Sequence, residues 1–147
     1  MRLANKIGLV TAAASGMGRA GGSLLYTSSI SGLPGSPHSS VYSAMKFGIV
    51  GFVRSLAARY AKDNIRANVL CPGAIDTPMT RTFQRRPDDT KNANVDREYR
   101  LARKARRMPR GRFSQPPEIA NLALFLVSDE ASRVSGAAIP IDGATVA

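Results

Sequence analysis

The sequence predicts an α/β fold: a reduced parallel sheet of about four strands with helices on both faces, in one domain over residues 1–147. Three observations point there. Short apolar runs rich in β-formers recur between glycine and proline breakers. The first run ends in a glycine-containing stretch, Thr11 to Gly18, that reads as a strand-to-helix turn suited to phosphate. Two longer apolar stretches, one opening near Ser40 and one at Pro116, supply helices.

Taken in order, Lys6 to Thr11 is a short strand and Ser23 to Ser28 a second. Residues 30–40 form a Gly/Pro/Ser loop broken by Pro34-Gly35 and Pro37. A long helix follows over Ser40 to Ala61, with Ala44, Phe47, Phe52, Leu56 and Tyr60 among its apolar positions, and Asp63-Asn64 ends it. Ile65 to Cys71 is the third strand, and Pro72-Gly73 stops it with a turn that cannot continue the ladder. Asn94 to Arg107 can be drawn as a helix, with Val95, Tyr99 and Ala102 on one stripe and Leu101, Ala105 and Met108 on another. Proline suits the first helical position, so Ser114-Gln115-Pro116 starts a nearly all-apolar helix that expects burial. After Ser135-Gly136, Ala137 to Ile141 is the last strand. The expected sheet order is 1-2-3-4, with the long helix on one face and the C-terminal apolar helix on the other. Only Ala12 to Gly22 connects the first two strands, close to the dozen or so residues that a parallel crossover needs.

Several motifs share one register. Thr11-Ala12-Ala13-Ala14-Ser15-Gly16-Met17-Gly18 resembles the T-G-x-x-x-G-x-G turn of the short-chain dehydrogenase/reductase family. Tyr42-Ser43-Ala44-Met45-Lys46 resembles its Y-x-x-x-K, with Ser29 thirteen positions upstream. Cys71-Pro72-Gly73 with Thr77, Pro109-Arg110-Gly111-Arg112 before Pro116-Pro117-Glu118-Ile119-Ala120, and Ile141-Asp142-Gly143 look like its later landmarks, in its order. Alone, a Y-x-x-x-K is as well an exposed aromatic beside a solvated lysine, and a degenerate glycine turn is an ordinary loop. Agreement among separate motifs carries the resemblance.

The resemblance implies a Rossmann-like domain that moves a hydride between NAD or NADP and a small carbonyl or alcohol substrate. Tyr42 is then the proton-exchanging group. A free phenol with a pKa of about 10 is a poor base at neutral pH, so a nearby cation must stabilise the phenolate. Lys46 lies one helical turn away on the same face. By resemblance Lys46 also holds the nicotinamide ribose hydroxyls, and Ser29 donates a hydrogen bond to the substrate oxygen. The implied catalytic set is Ser29, Tyr42 and Lys46. The implied cofactor contacts are Thr11, Ser15, Gly16, Met17, Gly18, Tyr42, Lys46, Pro72, Gly73 and Thr77. Outside the resemblance, Pro72-Gly73 with Thr77 reads as a strand-ending turn whose hydroxyl caps the next element.

The chain also departs from the family. Gly16 to Ala20 looks like the first turn of the first helix, and Gly21 to Ser29 like the approach to the serine strand, so Ser29 comes only eleven residues after Gly18. The central βα units, at roughly 30 residues each, are missing between Ala20 and Gly21; the first two strands here are not neighbours in the family, so across this short connection they either pair directly or leave the first strand unpaired. Ala12 stands where the family has its first glycine. The residue that separates NAD from NADP, the Asn-Asn-Ala-Gly element and the relay asparagine have no counterpart. The alternative to an active oxidoreductase is thus an inactive shortened relative that does not hold dinucleotide. The long helix loses a neighbour with which the family forms its dimer bundle, so exposed apolar surface and self-association or marginal stability are expected.

Composition bounds the rest. Residues 81–112 hold twelve Lys/Arg against four Asp/Glu and supply +8 of the net +11. With only Phe83 and Tyr99 as stacking aromatics there, a solvated basic segment is favoured over a nucleic-acid surface. By resemblance it is the substrate-covering lid, and its charge would suit an anionic substrate or carrier. No apolar run approaches the roughly 18 residues of a membrane span, the longest candidate being Ile119 to Val127, which contains Asn121. Lys6 to Ala14 imitates a short signal peptide, but the Gly-Met-Gly continuation fits a phosphate turn better. Cys71 is the single cysteine, so no internal disulfide forms, in keeping with a reducing cytoplasm.

Overall fold

The computed structural model describes residues 8–10, 21–37, 39–83, 102, 104–106 and 108–147, with the backbone alone at 8–10 and 81–83. Four strands, β1 (Gly8–Val10), β2 (Gly22–Thr27), β3 (Ile65–Pro72) and β4 (Ala138–Ile141), form one parallel sheet in the order β1-β2-β3-β4. β1 and β2 pair directly, Gly8 opposite Ser23 and Val10 opposite Leu25, which settles the choice the short connection left open.

β2 enters the sheet through Gly21, whose φ of +90° favours glycine. A Cβ there would lie 2.6 Å from the Asn64 carbonyl oxygen. Asn64 is left-handed at φ 56° and ends the short 3-10 turn Ala61–Asp63 behind helix α1 (Ser40–Arg59). Asparagine tolerates that conformation, so Asp63-Asn64 turns the chain into β3 as expected.

Side chains alternate across the strands and divide the core between two faces. Leu24 and Tyr26 of β2 and Ala67, Val69 and Cys71 of β3 pack with Val50, Val53 and Ala57 of α1. Leu25 and Leu70 point the other way, onto Leu126 of helix α3 (Pro116–Val127), Ala131 and Ile139. Between β3 and α3 lies a short helix, α2 (Pro78–Phe83). Covering both faces is what a parallel sheet of apolar strands requires.

α1 is apolar nearly all round, so its pattern does not choose a face. Ser43, Val50, Val53 and Ala57 are buried, while Val41, Met45, Phe47 and Phe52 stay largely exposed. The Phe52 ring meets Tyr26 edge-on at 5.7 Å. By length and mean hydropathy (1.2) α1 is the one described helix long and apolar enough to cross a membrane. Ser43, Lys46, Arg54 and Ser55 interrupt its apolar sequence, so it contains no long unbroken apolar run.

β3 corrects the expectation at Pro72. The strand continues through this residue, which pairs with Ile141, and the Gly73 N–H still donates to the Ile141 carbonyl. Val69 and Gly73 direct their N–H groups at β4, so the alternate residue Pro72 faces the β2 side. Pairing with β2 ends there at Thr27 opposite Leu70, and the missing N–H costs no bond. Pro140 is tolerated in β4, at the sheet edge.

Polar groups fasten α3 and β4. The Arg66 guanidinium donates to the carbonyls of Leu126 (2.8 Å), Ser128 (3.0 Å) and Val134 (3.3 Å), closing the C-terminal end of α3. Buried Asn68 donates to the Val134 carbonyl and accepts from the Ala137 N–H. Ile75 pairs with Ser114, so the chain before α2 and the chain after the basic segment lie side by side. The helix expected over Asn94 to Arg107 lies mostly outside the described residues; the Arg106 N–H donates to the Ala102 carbonyl at 3.0 Å, one helical turn near its end.

Candidate active site

The connection leaving β2 runs through α1 on one face, whereas the connection from β3 returns through α3 on the other. Where the carboxyl ends of neighbouring strands send their connections to opposite faces, open α/β sheets form a crevice for ligands. Ser29 follows β2, Pro72 and Gly73 end β3, and Asp142 follows β4, so this end of the sheet gathers the expected site residues.

Ser29 is extended (φ −161°, ψ 161°) and caps the 3-10 turn Ile30–Gly32, its Oγ accepting from the Ser31 N–H at 3.2 Å. Among the described residues the Ser29 hydroxyl donates to no partner, which leaves its proton for a ligand. Tyr42 sits in the first turn of α1 at 40% exposure, open to solvent. One turn on, Lys46 Nζ lies 5.5 Å from the centre of the Tyr42 ring and donates to the Thr27 carbonyl at 3.4 Å. Lys46 thus joins the Tyr42 turn of α1 to the strand end that carries Ser29.

Residues outside the expected set build this junction. The Ser28 hydroxyl, buried at 4% exposure, donates to the Lys46 carbonyl at 2.8 Å. Gly32 packs so closely that a Cβ would lie 2.7 Å from Ser28 Oγ and 2.8 Å from the Lys46 carbonyl carbon. The Ser43 hydroxyl accepts from the Ser36 N–H at 2.9 Å and ties the intervening loop to α1. Adjacency to Ser29 was the only sequence signal for Ser28, and Gly32 was one loop glycine among several.

The remaining expected residues behave differently. Gly73 abuts the C-terminal loop, where a Cβ would lie 2.8 Å from Asp142 Cβ. Asp142 accepts from the Ala144 and Val146 N–H groups, both at 3.0 Å, and closes that loop. The Thr77 hydroxyl accepts from the Thr80 N–H at 3.2 Å and so caps α2, the capping arrangement weighed beside the cofactor contact. Thr11, Ser15, Gly16, Met17 and Gly18 lie outside the described residues. Cys71 is fully buried beneath Ser28 and Ser29. Burial pushes its thiol up, against the opposing pull of the Ser28 and Ser29 hydrogen bonds and of the Arg54 and Lys46 charges, so it is an inert core thiol.

Residues 5–144 match a family model described as enoyl-(acyl carrier protein) reductase. The chain is 38% identical over 125 residues to 3-oxoacyl-(acyl-carrier-protein) reductase of Thermotoga maritima, covering 85% of this chain and 46% of the relative. It is 36% identical over 122 residues to levodione reductase of Leifsonia aquatica, covering 83% and 44%. Among solved structures, L-sorbose reductase of Gluconobacter frateurii, complexed with NADPH and L-sorbose, superposes with a TM-score of 0.79 at 32% identity, over 87% of this chain and 48% of that one. Actinorhodin polyketide ketoreductase (F189W) with NADPH gives 0.76 at 31% identity, over 86% and 48%. The chain spans about half the length of the relatives it matches. Rossmann-like sheet, Tyr-Lys pair beside the serine strand, and agreement over most of its residues make this chain a member of the short-chain dehydrogenase/reductase family of oxidoreductases.

Proposed function

We propose that this chain carries the reactive half of an NAD(P)-dependent oxidoreductase site acting on a small carbonyl or alcohol. The observation that carries the reading is the position of Lys46 Nζ, 5.5 Å from the Tyr42 ring centre and bonded to the strand end before Ser29. In the reductive direction Tyr42 gives its phenol proton to the substrate oxygen, and the Lys46 ammonium stabilises the phenolate left behind. The Ser29 hydroxyl, accepting from its own loop, donates to that same oxygen and orients it.

The donor set fits a nicotinamide nucleotide, which supplies or takes up the hydride when bound. One bond to Thr27 leaves Lys46 with donors for ribose hydroxyls, and Pro72-Gly73 ends the neighbouring strand at the same crevice. The NADPH complexes of two relatives support the choice of cofactor class. Thr77 contributes less directly, since its hydroxyl already caps α2. The net charge of +8 in residues 81–112 favours an anionic substrate or carrier, and the buried unpaired Cys71 fits a cytoplasmic setting.

The alternative, an inactive shortened relative that does not hold dinucleotide, is favoured by the coverage of about half of each relative. Much of a dinucleotide's binding energy comes from its non-reacting half, and the family's elements for that half have no counterpart here. Exposed Val41, Met45 and Phe52 on α1 further support self-association. A screen of small carbonyl compounds, following NADPH absorbance with Tyr42→Phe as control, tests the enzymatic reading. Turnover by the wild type and a rate lower by about 10²-fold or more in the variant is expected; equal rates would refute the assignment of Tyr42.

A further inference from the structure

Lys46 is held at both ends by two consecutive residues of one strand end. Its ammonium donates to the Thr27 carbonyl at 3.4 Å, and its own main-chain carbonyl accepts from the Ser28 hydroxyl at 2.8 Å. A helix carbonyl already has an intrahelical donor four residues on, so the Ser28 bond is additional and serves to fix α1 against β2. The contact is buried at Ser28 and permitted by Gly32, where a Cβ would lie within 2.8 Å of both partners. From that pinned main chain the side chain reaches back to the Thr27 carbonyl, and Nζ stands 5.5 Å from the centre of the Tyr42 ring.

We propose that Ser28 is a positioning residue: it acts through Lys46, setting where the ammonium stands relative to Tyr42 and Ser29, and Gly32 provides the close approach that makes this possible. The proposal rests on the reading of Lys46 as part of the reactive site, but its geometry can be tested without cofactor or turnover.

The test is the NMR spectrum of the full chain with isotope-labelled lysine, the Lys46 εCH₂ signal being assigned by its loss in Lys46→Arg. In the wild type this signal is expected upfield of the other lysines, because the Nζ beside it stands 5.5 Å from the centre of the Tyr42 ring. Ser28→Ala is expected to move it at least halfway to the denatured-chain position and to weaken nicotinamide binding about tenfold, the scale of one lost hydrogen bond of about 1.4 kcal/mol. A purely structural Ser28 would lower the melting temperature and leave the signal in place. Should Ser28→Ala not fold, Ser28→Cys keeps the size with a weaker donor and is expected to give an intermediate shift. A wild-type signal without upfield displacement, or a folded Ser28 variant with the wild-type signal, overturns the proposal. If no cofactor binds, the functional reading fails separately, and the εCH₂ signal still decides the role of Ser28.

Discussion

Tyr42 and Lys46 share a helix face, and the end of strand β2 holds the ammonium at the Thr27 carbonyl, two residues before Ser29, which is the arrangement the proposed chemistry uses. The Tyr42 hydroxyl has no hydrogen-bond partner among the described residues, and its ring is 40% exposed. Tyr42→Phe should therefore leave the melting temperature unchanged while lowering turnover by about 10²-fold or more, the usual worth of a general acid-base group. Steady-state kinetics beside a thermal melt measures both. Cys71 makes the opposite case: buried with a raised thiol pKa, it should resist a disulfide reagent such as 5,5′-dithiobis(2-nitrobenzoate) in the native protein and react fully in denaturant. Rapid native labelling would show that the sheet opens at the base of the site. The proposed reactive residues could be picked out in the sequence because Tyr42, Lys46 and Ser29 carry a spacing. Ser28 and Gly32 were not, because what they do depends on a helix turn passing within contact distance, and no local pattern encodes that approach.

At the scale of elements, strands and helices were legible where breakers bracket them. Asn64 in the left-handed region and Pro116 at the start of α3 both stand where the sequence placed a boundary. Pro72 was not, because its place in the ladder depends on which neighbour its missing N–H faces. The exposed side of α1 was equally hidden, since an all-round apolar helix gives no face to read. Met45, 59% exposed, lies on that side. Met45→Lys should shift sedimentation toward monomer; an unchanged profile would place any self-association elsewhere. α3 offers a pH-dependent test. Glu118 accepts from both Arg112 Nη atoms (2.7 and 2.8 Å) and from the Gln115 N–H (2.7 Å), and the Arg112 hydrogen bonds chiefly hold its carboxyl down at about 2. A depressed carboxylate contributes stability that is present above its ordinary value near 4.5 and lost as pH falls through about 2. The pair is exposed, so the effect is small and weakened by salt. Glu118→Gln should remove that part of the acid dependence seen in melts between the two pH values, and an identical acid profile would contradict it.

On the scale of the whole molecule, the chain forms a two-faced parallel core from residues matching about half of a typical relative. Ser29 and Gly73 follow neighbouring strands at one end of the sheet and Lys46 is bonded there to Thr27; in the proposed reading this is the reactive half of the site, and the family's elements for the adenine half have no counterpart. The direct pairing of β1 with β2 shows how the short connection is accommodated, and it also places β1 at the edge of the sheet. Under that proposal, a reactive half without its remote anchor predicts specific but weak cofactor recognition. The measurement that tests this most directly is calorimetric titration of the 147-residue chain with NADPH and NADH, with a circular dichroism melt on the same sample. The account predicts a cooperative melt and saturable binding on the order of 1 mM, about −4 kcal/mol, reduced further in Lys46→Met. A cooperative melt with no saturable binding of either nucleotide would contradict it and leave the chain a folded relative without the family's chemistry.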